Sequence, residues 1–257
     1  MMEIFLGGLS PSVFAMAFGV TLMAGIVKGA IGFALPLIMI AVLPSFMPAQ
    51  TALAALILPV VVANAHQSVR FGFHDAWVSA KAYWRIIALT LVGIAISAPF
   101  AVVLPQYIMF LLLGSAVMIF SVLQLTGWKP DIPEHRRNPI QYALGLIGGL
   151  YGGISGVWGP PVIVYLLATK TPKREMVCIM SVIFTVGGVM LLAMHLQTGL
   201  LNAQTLPLSL AMLVPSTLGL FLGYMVQDRL DAEKFRRYAL IMLSISALNL
   251  LRRGFLG

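Results

Sequence analysis

The chain has 257 residues, of which 60% are hydrophobic and only 9% charged, and its net charge is +8. A soluble domain carries about 25% charged residues and needs them to cover its surface, so this composition excludes a water-soluble globular protein and leaves lipid as the medium for the apolar excess. The positive balance would suggest nucleic acid in a soluble protein; here it is explained by where the basic residues fall along the chain.

The stretch from Met1 to Ser10 carries Glu3 and no basic residue, which is not the positive n-region of a cleavable signal peptide. A span needs about 20 apolar residues to cross the hydrocarbon core, and runs of that kind recur throughout. The first is long, from Ser12 to Phe46, and is interrupted by glycines and by Pro36. Three ordinary spans follow at Gln50–Val69, Tyr83–Leu104 and Tyr107–Gly127. A second long, glycine-rich segment runs from Ile140 to Ala168, and three more ordinary spans follow it at Met176–Leu196, Leu206–Val226 and Phe235–Leu251. The single cysteine, Cys178, lies inside an apolar run, where it reads as a packing residue and forms no intrachain disulfide.

Basic residues set the orientation. Four clusters (Arg70, Lys81, Arg85; Lys129, Arg136, Arg137; Lys170, Lys173, Arg174; Arg229, Lys234, Arg236, Arg237) hold 13 of the 16 Lys and Arg. The connections at Pro44–Gln50, Pro105–Gln106 and Gln197–Thr205 hold none. The positive-inside rule places the clusters in the cytoplasm and the bare connections outside, with Arg252 and Arg253 as the exception. For this sorting to hold, each long segment must enter the membrane and return, as a tight hairpin or as a helix plus a half-crossing re-entrant helix. Trp77, Tyr83 and Trp84, beside Lys81 and Arg85, read as an interfacial aromatic belt.

The two long segments also match each other. Gly25, Gly29, Gly32 and Pro36 align with Gly149, Gly153, Gly156 and Pro160 at a constant offset of 124, and Gly93 corresponds to Gly219 at an offset of 126. Broken helices at matching places in two topologically inverted halves point to the binding site of a secondary transporter. Glycine and proline interrupt the helix, and the freed backbone survives at membrane depth only inside protein or against an aqueous cavity. A short helix that starts after the break directs its amides, with their partial positive charge, into that cavity. The plainer alternative is close helix packing through Gly-x-x-x-Gly, although packing alone does not call for Pro36 or for Gly159-Pro160-Pro161.

Lys28, between Gly25 and Gly29, is the one Lys or Arg deep in an apolar segment. A buried ammonium costs at least about 2.5 kcal/mol, so it marks either an anion site, a tie to backbone carbonyls or a snorkelling side chain. Asn64 and Gln67 lie one turn apart and share a helix face, where they donate to a ligand or to a neighbouring helix; His66 points elsewhere, and His195 lies near the outer end of its span. Trp158 beside Gly159-Pro160 either closes a substrate cavity or fills space. All eight acidic residues fall in tails, linkers or span ends, so no midplane carboxylate is on hand for a cation pump or a metal-dependent intramembrane hydrolase. No Gly-x-x-x-x-Gly-Lys-Ser/Thr phosphate loop is present.

Gly25-x-x-x-Gly29-x-x-Gly32-x-x-x-Pro36, its second copy from Gly149 to Pro161, and the stretch Val27-Lys28-Gly29-Ala30-Ile31-Gly32-Phe33 with Asn64-x-x-Gln67 resemble the sulfite exporter TauE/SafE family of membrane transporters, over essentially the whole chain. Phe33-Ala34-Leu35 departs from the glycine run common after Gly32. The resemblance implies transport of small sulfur-containing or organic anions such as sulfite, sulfonates or sulfoacetate across the bacterial cytoplasmic membrane, with import and export both represented.

The expectation is therefore an all-α integral membrane protein, a single transport domain over 1–257. It is built from two inverted repeats, about 12–127 and 140–252, each a Gly/Pro-broken hairpin or re-entrant segment followed by three transmembrane helices. It is expected to be a permease and not an enzyme, without cofactor or metal. The expected substrate-binding residues are Lys28, Gly29, Gly32, Phe33, Asn64, Gln67, Gly156, Trp158, Gly159 and Pro160. The partners expected are a small anion and the lipid bilayer, with no nucleic acid; a proton or sodium ion is the candidate coupling ion and a homodimer the candidate assembly. An anion channel, or an intramembrane enzyme acting on a lipid phosphate, is the alternative.

Overall fold

Helix starts and stops follow the local chemistry of the chain. In the computed structural model, which describes residues 5–128, 131–227 and 231–256, α1 (Pro11–Ile31) opens with Pro11 in its first turn and with the Ser10 hydroxyl accepting the Val13 amide. Serine at the N-cap and proline just inside are the residue types that satisfy or remove the orphan amides of a first turn. The helix closes on Gly32, whose φ of +91° is the left-handed conformation that glycine adopts without penalty. A short helix, α2 (Leu35–Val42), runs into a 3-10 turn at Leu43–Ser45. Next come α3 (Ala49–Arg70), α4 (Phe73–Ala82), α5 (Trp84–Ser97), the single turn α6 (Phe100–Val103) and α7 (Gln106–Leu125). The second half of the chain folds as α8 (Arg137–Ser155), α9 (Gly159–Ala168), α10 (Lys173–Gln197), α11 (Thr205–Val226) and α12 (Ala232–Leu256).

Among the described residues the fold is helical without strands, and seven helical segments are long and apolar enough to cross a membrane: Pro11–Ile31, Ala49–Arg70, Trp84–Val103, Gln106–Leu125, Lys173–Gln197, Thr205–Val226 and Glu233–Leu256. This is the all-α membrane architecture expected from the composition. The long segment Ser12–Phe46 is a full helix followed by a short one, and Ile140–Ala168 has the same order, although its first helix, α8, is not among the seven span-length apolar segments. With eight and ten residues, α2 and α9 extend only about 12–15 Å at 1.5 Å per residue, half of a hydrocarbon core.

Two features depart from the linear reading. The linker after Arg70 contains a helix of its own, α4, with Phe73, Trp77 and Val78 exposed. The Tyr83–Leu104 span is also not continuous: α5 ends at Ser97 and a turn at Ala98–Pro99 precedes α6, because proline cannot continue the i to i−4 ladder. Among the orientation markers, Glu3, Lys129, Asp228 and Arg229 lie outside the described residues.

The chain forms two compact units, neither of them a single stretch of sequence. One comprises Met1–Pro59, Val103–Trp128 and Gly199–Gly257; the other comprises Val60–Val102 and Lys129–Thr198. In the first, α1 lies along α11, α7 lies along α12, and α2 packs against α1, α7 and α12. Every residue of α2 from Leu35 to Ala41 is buried, as a helix apolar on all sides must be. In the second unit α8 lies along α5, α9 packs on α8, and α10 contacts α4, α5, α8 and α9. Cys178 is buried there, 3.6 Å from the Ser79 hydroxyl, a packing environment.

The dominant contact inside each unit is made the same way. On α1 and α11, a Cβ at Gly25 would come within 2.5 Å of the Ser216 carbonyl, and one at Gly29 would strike the Leu220 carbonyl. Gly219 and Gly223 meet the Leu22 and Ile26 carbonyls in return. On α8 and α5, a Cβ at Gly149 would strike the Thr90 carbonyl, one at Gly153 the Ser97 hydroxyl, and one at Gly93 would lie 2.5 Å from the Leu150 amide. Gly25 with Gly219 in one unit thus corresponds to Gly149 with Gly93 in the other, at the offsets of 124 and 126 read from the sequence. Small residues let backbones touch where lipid supplies no hydrophobic drive. In the second unit two hydroxyls add bonds across the contact, Thr90 to the Gly145 carbonyl and Ser97 to the Gly149 carbonyl, each 3.2 Å.

Adding one methyl group at these crossings forces backbone apart, a strain of about 1–3 kcal/mol. Gly149→Ala and Gly219→Ala should therefore lower the melting temperature of the purified protein. Gly19→Ala, where nothing lies within 4 Å of the new carbon, should leave it unchanged or raise it. Equal melting of all three variants would contradict the packing described.

Candidate functional site

The two helix breaks share one construction. α1 ends when the Gly32 amide bonds the Lys28 carbonyl at 2.7 Å, and α8 ends when the Gly156 amide bonds the Gly152 carbonyl at 2.7 Å. Gly32 and Gly156 have φ values of +91° and +72°, so each break turns on a left-handed residue. Three residues later the short helices begin, with Pro36 and Pro160 in their first turns. Neither α2 nor α9 has a side chain capping its first-turn amides. Prolines remove some of these donors, and the remainder keep the partial positive charge of a helix N-terminus.

The breaks differ in detail at the position where the first copy lacks glycine. Ala34, the N-cap of α2, has φ +86°, whereas Trp158, the N-cap of α9, has φ −115°. A left-handed alanine is unfavourable by about 1 kcal/mol or more, so the first loop is held in shape by its surroundings: Phe33, Ala34 and Leu35 are all buried. In the second loop the Ser155 hydroxyl does part of that work, accepting the Val157 amide at 3.1 Å while donating to the Tyr151 carbonyl at 2.8 Å.

In the first unit the sequence-predicted residues Lys28, Gly29, Gly32 and Phe33 fall within one turn of the break and all are buried. Lys28 is only 1% exposed, which rules out a snorkelling head at a water interface. It sits in the last turn of α1, where the helix C-terminal partial charge favours a cation. In the second unit Gly156, Trp158, Gly159 and Pro160 form the other break, and Asn64 and Gln67 lie on the second half of α3. Asn64 and Gln67 are both buried while His66 is exposed, so the pair shares a face as the spacing requires. The Asn64 amide donates to the Val60 carbonyl of its own helix at 2.7 Å.

Trp158 is 2% exposed and packs edge-on against Phe184, ring centres 6.0 Å apart. Its ring fills the space left by two glycines: a Cβ at Gly152 would lie 2.9 Å from it, and one at Gly187 2.8 Å. The indole Nε1 is buried without a hydrogen-bond partner among the described residues, an expensive state for a donor. His195 is fully buried and its Nε2 donates to the Gly153 carbonyl at 3.0 Å, tying α10 to the last turn of α8 just before the break. Ser155, Phe184 and Gly187 are absent from the residues picked out of the sequence, and His195 is noted there without a binding role; the Gly187-Gly188 pair inside an apolar span was the signal available for the α10 contact. Among the described residues no three of His, Cys, Asp or Glu gather as metal ligands would.

Comparison with known proteins places this architecture. A family model described as sulfite exporter TauE/SafE matches residues 17–250. A protein of Cupriavidus necator named as a probable sulfite/organosulfonate exporter TauE is 28% identical over 110 residues, which is 40% of this chain and 43% of that protein. The matched stretch thus spans less than half of that relative. No solved structure matches the chain. With seven segments fit to span a bilayer and a family match from the first helix to the last, this multi-pass membrane protein belongs to the sulfite exporter TauE/SafE family.

Proposed function

We propose that the protein is a secondary transporter of a small sulfur-containing or organic anion, such as sulfite or a sulfonate, working by alternating access in the bacterial cytoplasmic membrane. The observation that carries the reading is the pair of matched breaks, each a left-handed glycine followed by a short helix with no side-chain cap, with buried Lys28 one turn before the first. In each unit the uncapped helix N-terminal amides favour an anion over a cation, and in the first unit Lys28 adds a positive charge beside them. The repeated packing at constant offsets supports an origin in two repeats, and the distribution of basic residues supports their inversion. The relative's name supports a sulfur oxyanion as the substrate class.

In this reading Lys28 supplies the charge in the first unit, with shape and amide dipoles from the backbone around Gly29, Gly32 and Phe33, and the backbone around Gly156, Gly159 and Pro160 supplies the same in the second. Asn64 and Gln67 contribute neutral donors. Trp158 contributes an aromatic wall and an indole N–H, a donor that has no acceptor among the described residues. The absence of a midplane carboxylate favours the anion reading over a cation carrier and gives a lipid-phosphate hydrolase no acid with which to work.

The test is thermal stability of the purified protein against sulfite, thiosulfate, sulfoacetate, taurine, an aromatic sulfonate, acetate and phosphate. A ligand that binds only the folded state adds about 2.7 kcal/mol at a hundredfold excess over Kd. A selective rise with one sulfur oxyanion, weakened at least about tenfold in Lys28→Met as expected for loss of a charged hydrogen bond, is the predicted outcome. Binding unchanged in Lys28→Met would remove the lysine from the site.

Trp158→Phe separates a donor from a filler. Phenylalanine keeps an aromatic ring but removes the indole edge that lies against Gly187, so stability without ligand should fall by about 1–3 kcal/mol from the space left behind, whether or not the N–H meets a ligand. Anion affinity should fall several-fold if the indole N–H reaches the substrate. Affinity equal to the parent's would leave Trp158 as packing.

A further inference from the structure

In the first unit, the first turn of α7 and the last turn of α12 enclose a cavity of about 380 Å³ lined by Gln106, Tyr107, Phe110, Arg252, Arg253 and Leu256. That volume lies within the range of small-ligand sites. Its polar lining consists of two guanidinium groups, an amide and a phenol, and among the described residues no carboxylate lines it. These are the two arginines that the orientation of the chain did not explain.

The two arginines are held differently. Arg253 is half-buried, donates to the Pro44 carbonyl, and places its guanidinium 4.5 Å from the centre of the Phe110 ring. It is a fixed part of the wall. Arg252 is exposed, and its one hydrogen bond among the described residues is a long one, 3.4 Å to the Asn249 side chain. None of the three ion pairs among the described residues involves either arginine. Two adjacent positive charges thus line a cavity whose other described polar groups, the Gln106 amide and the Tyr107 phenol, are neutral and can each donate.

The location limits what can neutralise them. α7 and α12 are both of spanning length, so the cavity at their paired ends lies at headgroup depth. Tyr107 is 50% exposed beside it, and Phe255 and Leu256 are exposed by 77% and 78%. An apolar rim next to a cationic pocket suits a molecule with an anionic head and a hydrocarbon tail. The planar, forked guanidinium matches a phosphate oxyanion in a way that an ammonium does not.

We propose that this cavity binds a phosphodiester headgroup, that of an anionic phospholipid, with Arg252 as the group that reaches the phosphate and Tyr107 and Gln106 as neutral donors. Phe110 and Leu256 would lie against the glycerol. The site is separate from the helix breaks and does not depend on what they transport.

The experiment uses the full chain, delipidated in a neutral detergent. Melting is followed while phosphatidylglycerol, a neutral diacyl glycolipid or the deacylated headgroup glycerophosphoglycerol is titrated in. Phosphatidylglycerol should raise the melting temperature and the glycolipid should not. The midpoint of that effect should weaken about tenfold in Arg252→Gln and less in Tyr107→Phe. A stabilisation of equal size by glycerophosphoglycerol, also dependent on Arg252, would support the phosphodiester site and assign it to a water-soluble ester. Should Arg252→Gln melt low without ligand, Arg252→Lys keeps the charge and loses the fork, and an intermediate midpoint is expected. Equal stabilisation of parent and Arg252→Gln, or none by either phosphodiester, would overturn the proposal. Stabilisation by a sulfonate should be the same in parent and Arg252→Gln, so a failure here is distinct from a failure of the transport reading.

Discussion

In hydrocarbon there is no water to accept an unpaired N–H or to donate to an unpaired C=O, so each such group costs several kcal/mol. The rest of this structure is organised by that constraint. Long helices answer it throughout most of the chain, and the two glycine-ended breaks at Gly32 and Gly156 have to be hidden. Concealment is visible in the residues around them: Lys28, Phe33, Ala34 and Leu35 at one break, and Ser155, Val157, Trp158 and Gly159 at the other, are all buried. A membrane protein keeps such costly interruptions where broken backbone has something to do, and here each interruption leaves the start of a short helix without a side-chain cap.

Hiding a break requires neighbours that come very close, and this explains the distribution of glycine. α1 meets α11 through Gly25, Gly29, Gly219 and Gly223, and α8 meets α5 through Gly145, Gly149, Gly153 and Gly93. The helix that carries each break is clamped backbone to backbone by a helix from the other half of the sequence. Each compact unit is therefore assembled from both halves of the chain. The His195 bond to the Gly153 carbonyl serves the same end, fixing the last turn before Gly156 from a third helix. Such rigid support is what a binding constellation requires if its groups are to hold their geometry.

Much of this was legible in the sequence because the responsible physics leaves a residue signature. A left-handed helix end calls for glycine and a helix start tolerates proline, so Gly32 with Pro36 and Gly156 with Pro160 announced the breaks, and apolar run lengths announced the spans. Gly93 and Gly219 match as repeat positions, and that both are close helix crossings is seen only in the fold. What escaped was whatever leaves no such mark. Ala34 adopts a glycine-like backbone although alanine signals helix. α4 mixes Phe73 and Trp77 with Asp75 and Lys81 and has no clean apolar period. The kink at Ala98–Pro99 lies in an uninterrupted apolar run. Trp158 was visible as a large residue beside a break, but its nesting on Gly152 and Gly187 depends on contacts between separate helices. Which of the ten residues picked from the sequence touch a substrate is a question of ligand geometry, on which residue type and spacing bear only indirectly.

Transport by a carrier, as opposed to passage through a pore or chemistry on a lipid, is the claim on which the functional account rests. It is tested most directly by counterflow in proteoliposomes. Vesicles are loaded with an unlabelled sulfonate such as sulfoacetate at high concentration and diluted into a trace of the same anion carrying a radiolabel. A carrier that alternates its access exchanges one for the other, so the label should accumulate inside transiently above its equilibrium level, with an initial rate that saturates in the external anion. Label that only equilibrates, at a rate proportional to concentration, would contradict a carrier and identify a channel; no protein-dependent entry of any sulfur oxyanion would contradict the substrate class.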